Sequence, residues 1–292
     1  MINTMLFPAH SPHILDFHYY RHFRFFSEWA KLAGISVEIL PEGKHSKVWA
    51  KDYPGPNAFS VVLDGKQLII DYSDLLEEGV RKYEKKVPYI KYYYYDLPEC
   101  RKIKNLYPVG SQIDIQDGTY EEFFDVCETS YYKAQGDIVL CNQLPHTRAL
   151  DRRLDVQSKL KEWYGDNADT SYIPMAQKQF WNKLQECFIS VVVPGACNSC
   201  IDRGHCEQLA LGICTISPHL ETLFPRWEHL IPNKHYLMCR DDYSDLKDVI
   251  HWAYTHKEEC VNIGRSAAQL FKKCYTPSKY FEYIENIVKG VI

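Results

Sequence analysis

A chain of 292 residues, 46% of them hydrophobic, can bury one large core or two α/β cores of about 130 to 150 residues each, and two domains is the first expectation. A formal net charge of −4 supplies no overall attraction for phosphate backbones or anionic lipid, which disfavours a nucleic-acid coat or a membrane-surface protein. The opening MINTMLFPAH lacks a charged region leading into a long apolar run, and nowhere do about 18 uncharged apolar residues follow one another, so neither a leader nor a membrane span is expected and the expected location is cytoplasmic.

The first elements read as an α/β unit. A short strand over 5–7 is followed by the loop PAHSPHILD, then by a helix with Tyr19, Phe23, Phe26 and Ala30 at helical spacing, ended by Gly34. SVEIL at 36–40 supplies the next strand, and strand, helix, strand in that order seeds a parallel sheet. FSVVLDGKQLIID at 59–71 holds two apolar runs about Asp64-Gly65, readable as a hairpin or as the ends of two strands. A helix over 73–85 and a strand over 89–95 continue the pattern. Residues 97–118 lack periodicity and are expected to be irregular, with a helix over 120–132 and a domain boundary near Gln135-Gly136.

After that break the pattern restarts. DIVLC at 137–141 reads as a strand, 147–163 as a long helix, and FISVVV at 188–193 as the continuous apolar run of a buried parallel strand. A loop over 194–201, a helix over 202–211 and strands over 213–216 and 235–239 follow. Ser244 suits the N-cap of a helix with Leu246, Val249, Ile250 and Ala253 on one stripe, and Pro277 opens a last helix with Tyr280, Ile284, Ile287 and Val288 inward. The expected fold is therefore α/β, with two Rossmann-like domains over 1–135 and 136–276, parallel sheets flanked by helices, and a terminal helix over 277–292 crossing back to the first domain.

The segment SVVVPGACNSCIDRGHCEQLALGICTIS, 190–217, is the most informative: a buried strand, a glycine-bearing loop, a helix carrying Glu207, then Gly212 and a second strand. In an open parallel sheet small molecules bind beyond the strand carboxyl ends, where a helix N-terminus offers unpaired N–H groups and positive dipole to a diphosphate. A carboxylate one turn in stands at the depth of a ribose.

Glu207, Ala210 and Gly212 match the E-x-x-A-x-G helix that precedes a short hydrophobic strand in the donor-binding half of GT-B glycosyltransferases, which this stretch resembles. The order of Leu230-Ile231-Pro232, His235-Tyr236, the acidic Asp241-Asp242-Tyr243-Ser244-Asp245-Leu246 run and Asn262 to Gly264 is similar to the exostosin-like and protein O-glucosyltransferase-like groups. The likeness runs from about Asp137 to Ile287.

The resemblance implies a two-domain cleft, transfer of a sugar from a nucleoside diphosphate sugar such as a UDP- or GDP-sugar to a hydroxyl acceptor on a glycan, lipid or protein, and no essential metal or other cofactor. It implies that Glu207 binds the ribose and that Arg203 with the loop residues Gly195, Asn198 and Ser199 faces the diphosphate. Those groups usually carry their basic residue three places before the glutamate, where this chain has Gly204, so His205 rivals Arg203. In LPHTRALDRR, Arg148 is the residue expected to reach the phosphates, whereas Arg152 and Arg153 read as a solvated helix face. In the first domain His10, His13 and Asp16, in the loop after the first strand, are the general-base candidates for an inverting reaction.

Two other classes compete. Cys197 and Cys200, with His205, Cys206 and Cys214, fall within a short span and could hold zinc, although no second paired knuckle accompanies them among the 11 cysteines. A non-catalytic Rossmann-like binding protein is the other. A nicotinamide enzyme is disfavoured because no GxGxxG follows the first strand, and the text at 113–117 is not read as a metal-binding DxD.

Overall fold

The computed structural model describes residues 2–8, 17–40, 58–72, 87–92, 94–111, 113, 115, 118–129, 136–143, 149–173, 175–195 and 199–292. They fall into two compact units. The first comprises Met1–Asp114, Thr222–Glu228 and Lys273–Ile292, the second Ile115–Glu221 and His229–Lys272. The division comes at Asp114, ahead of Gln135-Gly136, and the helix over 120–129 is counted with the second unit.

The first unit is built on a six-stranded sheet in the order β2-β1-β3-β4-β5-β6, with β1 Thr4–Pro8, β2 Ser36–Leu40, β3 Ala58–Leu63, β4 Lys66–Asp71, β5 Tyr89–Lys91 and β6 Leu106–Pro108. β3 alone runs antiparallel to its neighbours β1 and β4, so the other five strands all run the same way. Of the two readings of 59–71, the hairpin is the one observed, and the sheet is parallel except at β3. The reason is local: Asp64 and Gly65 both adopt positive φ, 46° and 81°, the geometry of a two-residue hairpin turn that matches strand twist. The Asp64 carboxylate also accepts the backbone N–H of Asn3 (3.2 and 3.1 Å) and of Thr4 (2.9 Å), tying the turn to β1. β6 and the short helix α2 Pro98–Arg101 lie where irregular chain was expected.

Helix α1, Phe17–Leu32, buries Phe25, Phe26, Trp29 and Ala30, and the terminal helix, Pro277–Lys289, meets that stripe with Tyr280 and Phe281. Phe26 and Phe281 stand edge to face at 5.2 Å, Trp29 and Tyr280 at 5.4 Å, an arrangement that adds to what area burial supplies. The helix expected over 73–85 lies outside the described residues.

The second unit carries a five-stranded sheet in the order β11-β10-β9-β7-β8, every pairing parallel. Its strands are short: β7 Val139–Leu140, β8 Ala168–Asp169, β9 Ile189–Val191, β10 Thr215–Ser217 and β11 Leu237–Met238. Within the unit they are laid out second, first, third, fourth, fifth, a doubly wound sheet whose direction of winding reverses between β7 and β9. Helices α3 Tyr120–Thr129, α4 Leu150–Tyr164, α5 Gln177–Glu186, α6 Arg203–Ala210, α7 Leu246–Thr255 and α8 Lys257–Cys274 accompany it. The N-cap of α7 is Asp245 rather than Ser244. No helix among the described residues is long and apolar enough to cross a membrane.

Candidate functional site

The reversal between β7 and β9 places two loops side by side in the second unit: the chain leaving β7, which leads into α4, and the chain leaving β9, which leads into α6. Open α/β sheets take their ligands at such a point, because the two loops part in opposite directions and leave a crevice. Side chains from the β7 side hold the β9 loop by its backbone. Gln143 Oε1 accepts the N–H of Val193 at 2.5 Å, Arg153 Nε donates to the Val193 carbonyl at 3.0 Å, and Arg152 Nη2 donates to the Pro194 carbonyl at 2.6 Å. Gly195 follows directly, and a Cβ there would stand 3.3 Å from Arg153 Nη2.

Asp202 closes the network. Its Oδ1 accepts the His205 backbone N–H at 2.9 Å, capping α6, while Oδ2 accepts from Arg153 at 3.3 Å and Gln143 at 3.2 Å. A carboxylate at this cap already satisfies part of the helix dipole. The α6 N-terminus is therefore not the open one expected from sequence, and two arginines stand close to its cap. Arg152 and Arg153 correct the reading of a solvated face: Arg153 is buried at 7% exposure, and Arg152 is half-buried with an Nε that is desolvated and makes no hydrogen bond.

Glu207 sits in the middle of α6, buried, where Trp181 Nε1 donates to Oε2 at 2.9 Å and Gln177 Nε2 to Oε1 at 3.2 Å. Both donors come from α5, an element absent from the sequence reading. Trp181 is itself fixed by the Phe123 ring at 5.2 Å. The carboxylate is thus held in one orientation from both oxygens. Arg203 opens α6 and is half-buried; Ser199 is half-buried, and its carbonyl accepts the Glu221 N–H at 2.9 Å.

His205 is a correction. Its side chain is completely buried, its Nε2 pairs with Thr215 Oγ1 at 3.0 Å, and burial holds its pKa down to about 4. A neutral imidazole turned into the sheet offers no charge to a phosphate, so it does not rival Arg203. Its place on the inner face of α6 follows from helical phase, with Cys206 and Leu209 buried beside it.

Arg148, Asn198 and the three general-base candidates His10, His13 and Asp16 lie outside the described residues. So does Cys197. Cys200, Cys206 and Cys214 are each buried, Cys214 shares a hydrogen bond with Cys260, and among the described residues no three metal-binding side chains gather.

The residues that sequence reasoning missed are Gln143, Arg152, Arg153, Gln177 and Trp181. Strand order is what brings the first three to the β9 loop, and one sequence does not display strand order. An available signal was the pair of arginines directly after the β7 loop, on a helix whose buried positions include Val156 and Leu160.

No protein-family model matches the chain, and no curated protein matches it. Among solved structures, the chain is similar to sucrose-phosphate synthase from Thermosynechococcus elongatus at 10% identity and a TM-score of 0.49, with 93% of each chain covered. It is similar to HepE from Anabaena, solved in complex with UDP and glucose, at 9% identity and a TM-score of 0.41, over 100% of this chain and 99% of that one. A glycosyltransferase from Rickettsia africae is similar at 10% identity and a TM-score of 0.45, over 99% of this chain and 98% of that one.

Proposed function

We propose that the chain is a glycosyltransferase of GT-B type that moves a sugar from a nucleoside diphosphate sugar to a hydroxyl acceptor, with the donor held by the second unit. The observation that carries the reading is the meeting of Arg152 and Arg153 with the backbone of Val193 and Pro194 at the reversal of the parallel sheet. It supports the motif-based reading of the same segment, in which Glu207, Ala210 and Gly212 resemble the donor helix of that class and the run from Leu230 to Leu246 resembles its exostosin-like and protein O-glucosyltransferase-like groups.

The roles divide by environment. Arg153, buried and saturated by Val193 and Asp202, shapes the loop. Arg152 has a desolvated Nε without a partner and supplies charge to the diphosphate, whose leaving group develops negative charge as the glycosidic bond breaks. Arg203, Gly195 and Ser199 border the same loop, and Asn198 and Arg148 are, by their places in the sequence, the further residues assigned to the diphosphate. Glu207 accepts hydrogen bonds from the ribose hydroxyls, with Trp181 and Gln177 orienting it. A carboxylate has lone-pair directions for about four such bonds. His10, His13 or Asp16 serves as base if the reaction inverts. With fixed cations in the site, turnover needs no divalent metal.

The test is thermal protection of the full chain by UDP, GDP and the other common nucleoside diphosphates, followed by a nucleotide-sugar hydrolysis screen. At least one nucleotide raises the melting temperature, and Glu207→Ala and Arg152→Gln each abolish that rise. Failure of every nucleotide to shift melting removes the reading.

A further inference from the structure

Helix α3 reaches Glu207 through a single intermediate side chain. The start of α3 is fixed locally. Glu122 donates its N–H to Thr119 Oγ1 at 3.2 Å, and the Glu122 carboxylate accepts the Thr119 N–H at 2.9 Å, the reciprocal pair of a capping box. Gly118, just before it, has φ +98°, and a Cβ there would stand 2.6 Å from Glu122 Oε2, so a side chain at 118 would disturb the box.

That start sets the helical phase, which gathers Tyr120, Phe123 and Cys127 on one buried stripe. Phe123, with no exposure, meets the indole of Trp181 at 5.2 Å between ring centroids and 57° between planes. On α5, Gln177 and Trp181 are four places apart and share a face, and from that face they donate to the two oxygens of Glu207, at 3.2 and 2.9 Å. Phe123, Trp181 and Glu207 therefore form a chain of contacts running from α3 through α5 to α6.

These two donors carry no charge, and desolvating a carboxylate to 5% exposure is costly. An apolar residue at 207 would pack without that cost, so stability alone does not account for an indole aimed at Oε2. Holding the carboxylate in one orientation does. The indole keeps this bond in only one of its rotamers, and the Phe123 ring packed against it opposes the swing to another. We propose that Phe123 is a positioning residue for the donor nucleotide: acting through Trp181, it fixes the Glu207 carboxylate in the orientation that receives the ribose. The proposal rests on the reading of Glu207 given above. It makes α3, which lies ahead of the parallel sheet in the chain, part of what sets donor affinity.

The experiment is a double-mutant cycle on the full chain, with UDP and GDP binding measured by titration calorimetry. Trp181→Phe keeps an aromatic ring, removes the indole N–H, and weakens nucleotide binding about tenfold. Phe123→Leu leaves the N–H in place but frees the ring, and weakens binding about threefold to fivefold. The double variant binds no more weakly than Trp181→Phe alone, because without the N–H Phe123 has no route to Glu207. The indole N–H resonance of Trp181, identified by its disappearance in Trp181→Phe, shifts when nucleotide is added to wild type and is already displaced in free Phe123→Leu. If Phe123→Leu fails to fold, Thr119→Ala, which loosens the exposed capping box without touching the core, takes its place in the cycle. Losses that simply add in the double variant, or wild-type affinity in Phe123→Leu despite a lower melting temperature, reduce Phe123 to a core residue and overturn the proposal alone. Failure of wild type to bind either nucleotide falls on the donor reading and takes this proposal with it.

Discussion

An alanine at position 264 would place its Cβ 1.9 Å from the carbonyl oxygen of Gly212, so α8 and the turn after α6 meet backbone against backbone. Gly212 has φ +74°, and its N–H and that of Ile213 return to the carbonyls of Leu209 and Gln208, closing α6 with the paired bonds of a left-handed cap. Gly264 is the reason that cap can lie so close to the helix behind it.

Gly264→Ala forces the two elements apart and is expected to cost about 3 kcal/mol, a fall in melting temperature of roughly 6 to 12 °C in a chain of this size. Gly212→Ala is strained by its own backbone instead and costs about 1 to 2 kcal/mol. Thermal melts of the two variants check both the size and the order; an unchanged melt for Gly264→Ala would refute the contact.

The two neighbouring arginines are expected to separate structure from binding. Arg153→Met strips hydrogen bonds from Val193 and Asp202 and lowers stability by about 2 to 3 kcal/mol. Arg152→Gln loses the Nη2 bond to the Pro194 carbonyl and costs about 1 kcal/mol, and on the proposed reading it also removes protection by nucleoside diphosphates. Urea melts with and without nucleotide distinguish them, and equal loss of protection without loss of stability in both would reverse the assignment of Arg153.

His205 gives the fold an acid sensitivity of definite sign. Its folded pKa of about 4 lies below the free value of 6.5, because burial disfavours the charged ring. Between these values the unfolded chain binds a proton that the folded chain does not, so this contribution is absent above pH 6.5 and destabilises progressively as pH falls to 4, by up to about 3 kcal/mol at 1.36 kcal/mol per unit. His205→Gln is expected to melt lower than wild type at pH 7.5, through the altered contact to Thr215, and to show a shallower decline down to pH 4.5. An equal decline in both proteins would place the sensitivity elsewhere.

Chelation supplies a further check on the proposed chemistry. On the proposed reading, in which arginines provide the cationic charge, sugar-nucleotide turnover is expected to survive excess EDTA and to show no gain from added magnesium or manganese. Loss of turnover on chelation, restored by one of these ions, would require a metal in the donor site.

The sequence by itself determined what depends on near neighbours in the chain. The apolar run through Ile189 and Val191 specifies a buried strand, Asp64-Gly65 allows the hairpin, Pro277 starts the last helix, and Glu207 to Gly212 spell a helix and its cap. These are local because hydrophobic period, turn geometry and capping act over a few residues. Tertiary structure alone decided which segments meet. The strand at Val139–Leu140 lies inside an apolar run legible in the sequence, but Ala168–Asp169 is too short to register as a pattern, and only their pairing reveals a sheet that reverses between β7 and β9. That reversal takes Arg153 out of solvent and brings it to Val193, as packing within the second unit brings Trp181 to Glu207 and Gly264 to Gly212. Each of these contacts joins residues distant in the chain, and their energy comes from burial and hydrogen bonds that exist only once the sheet is assembled.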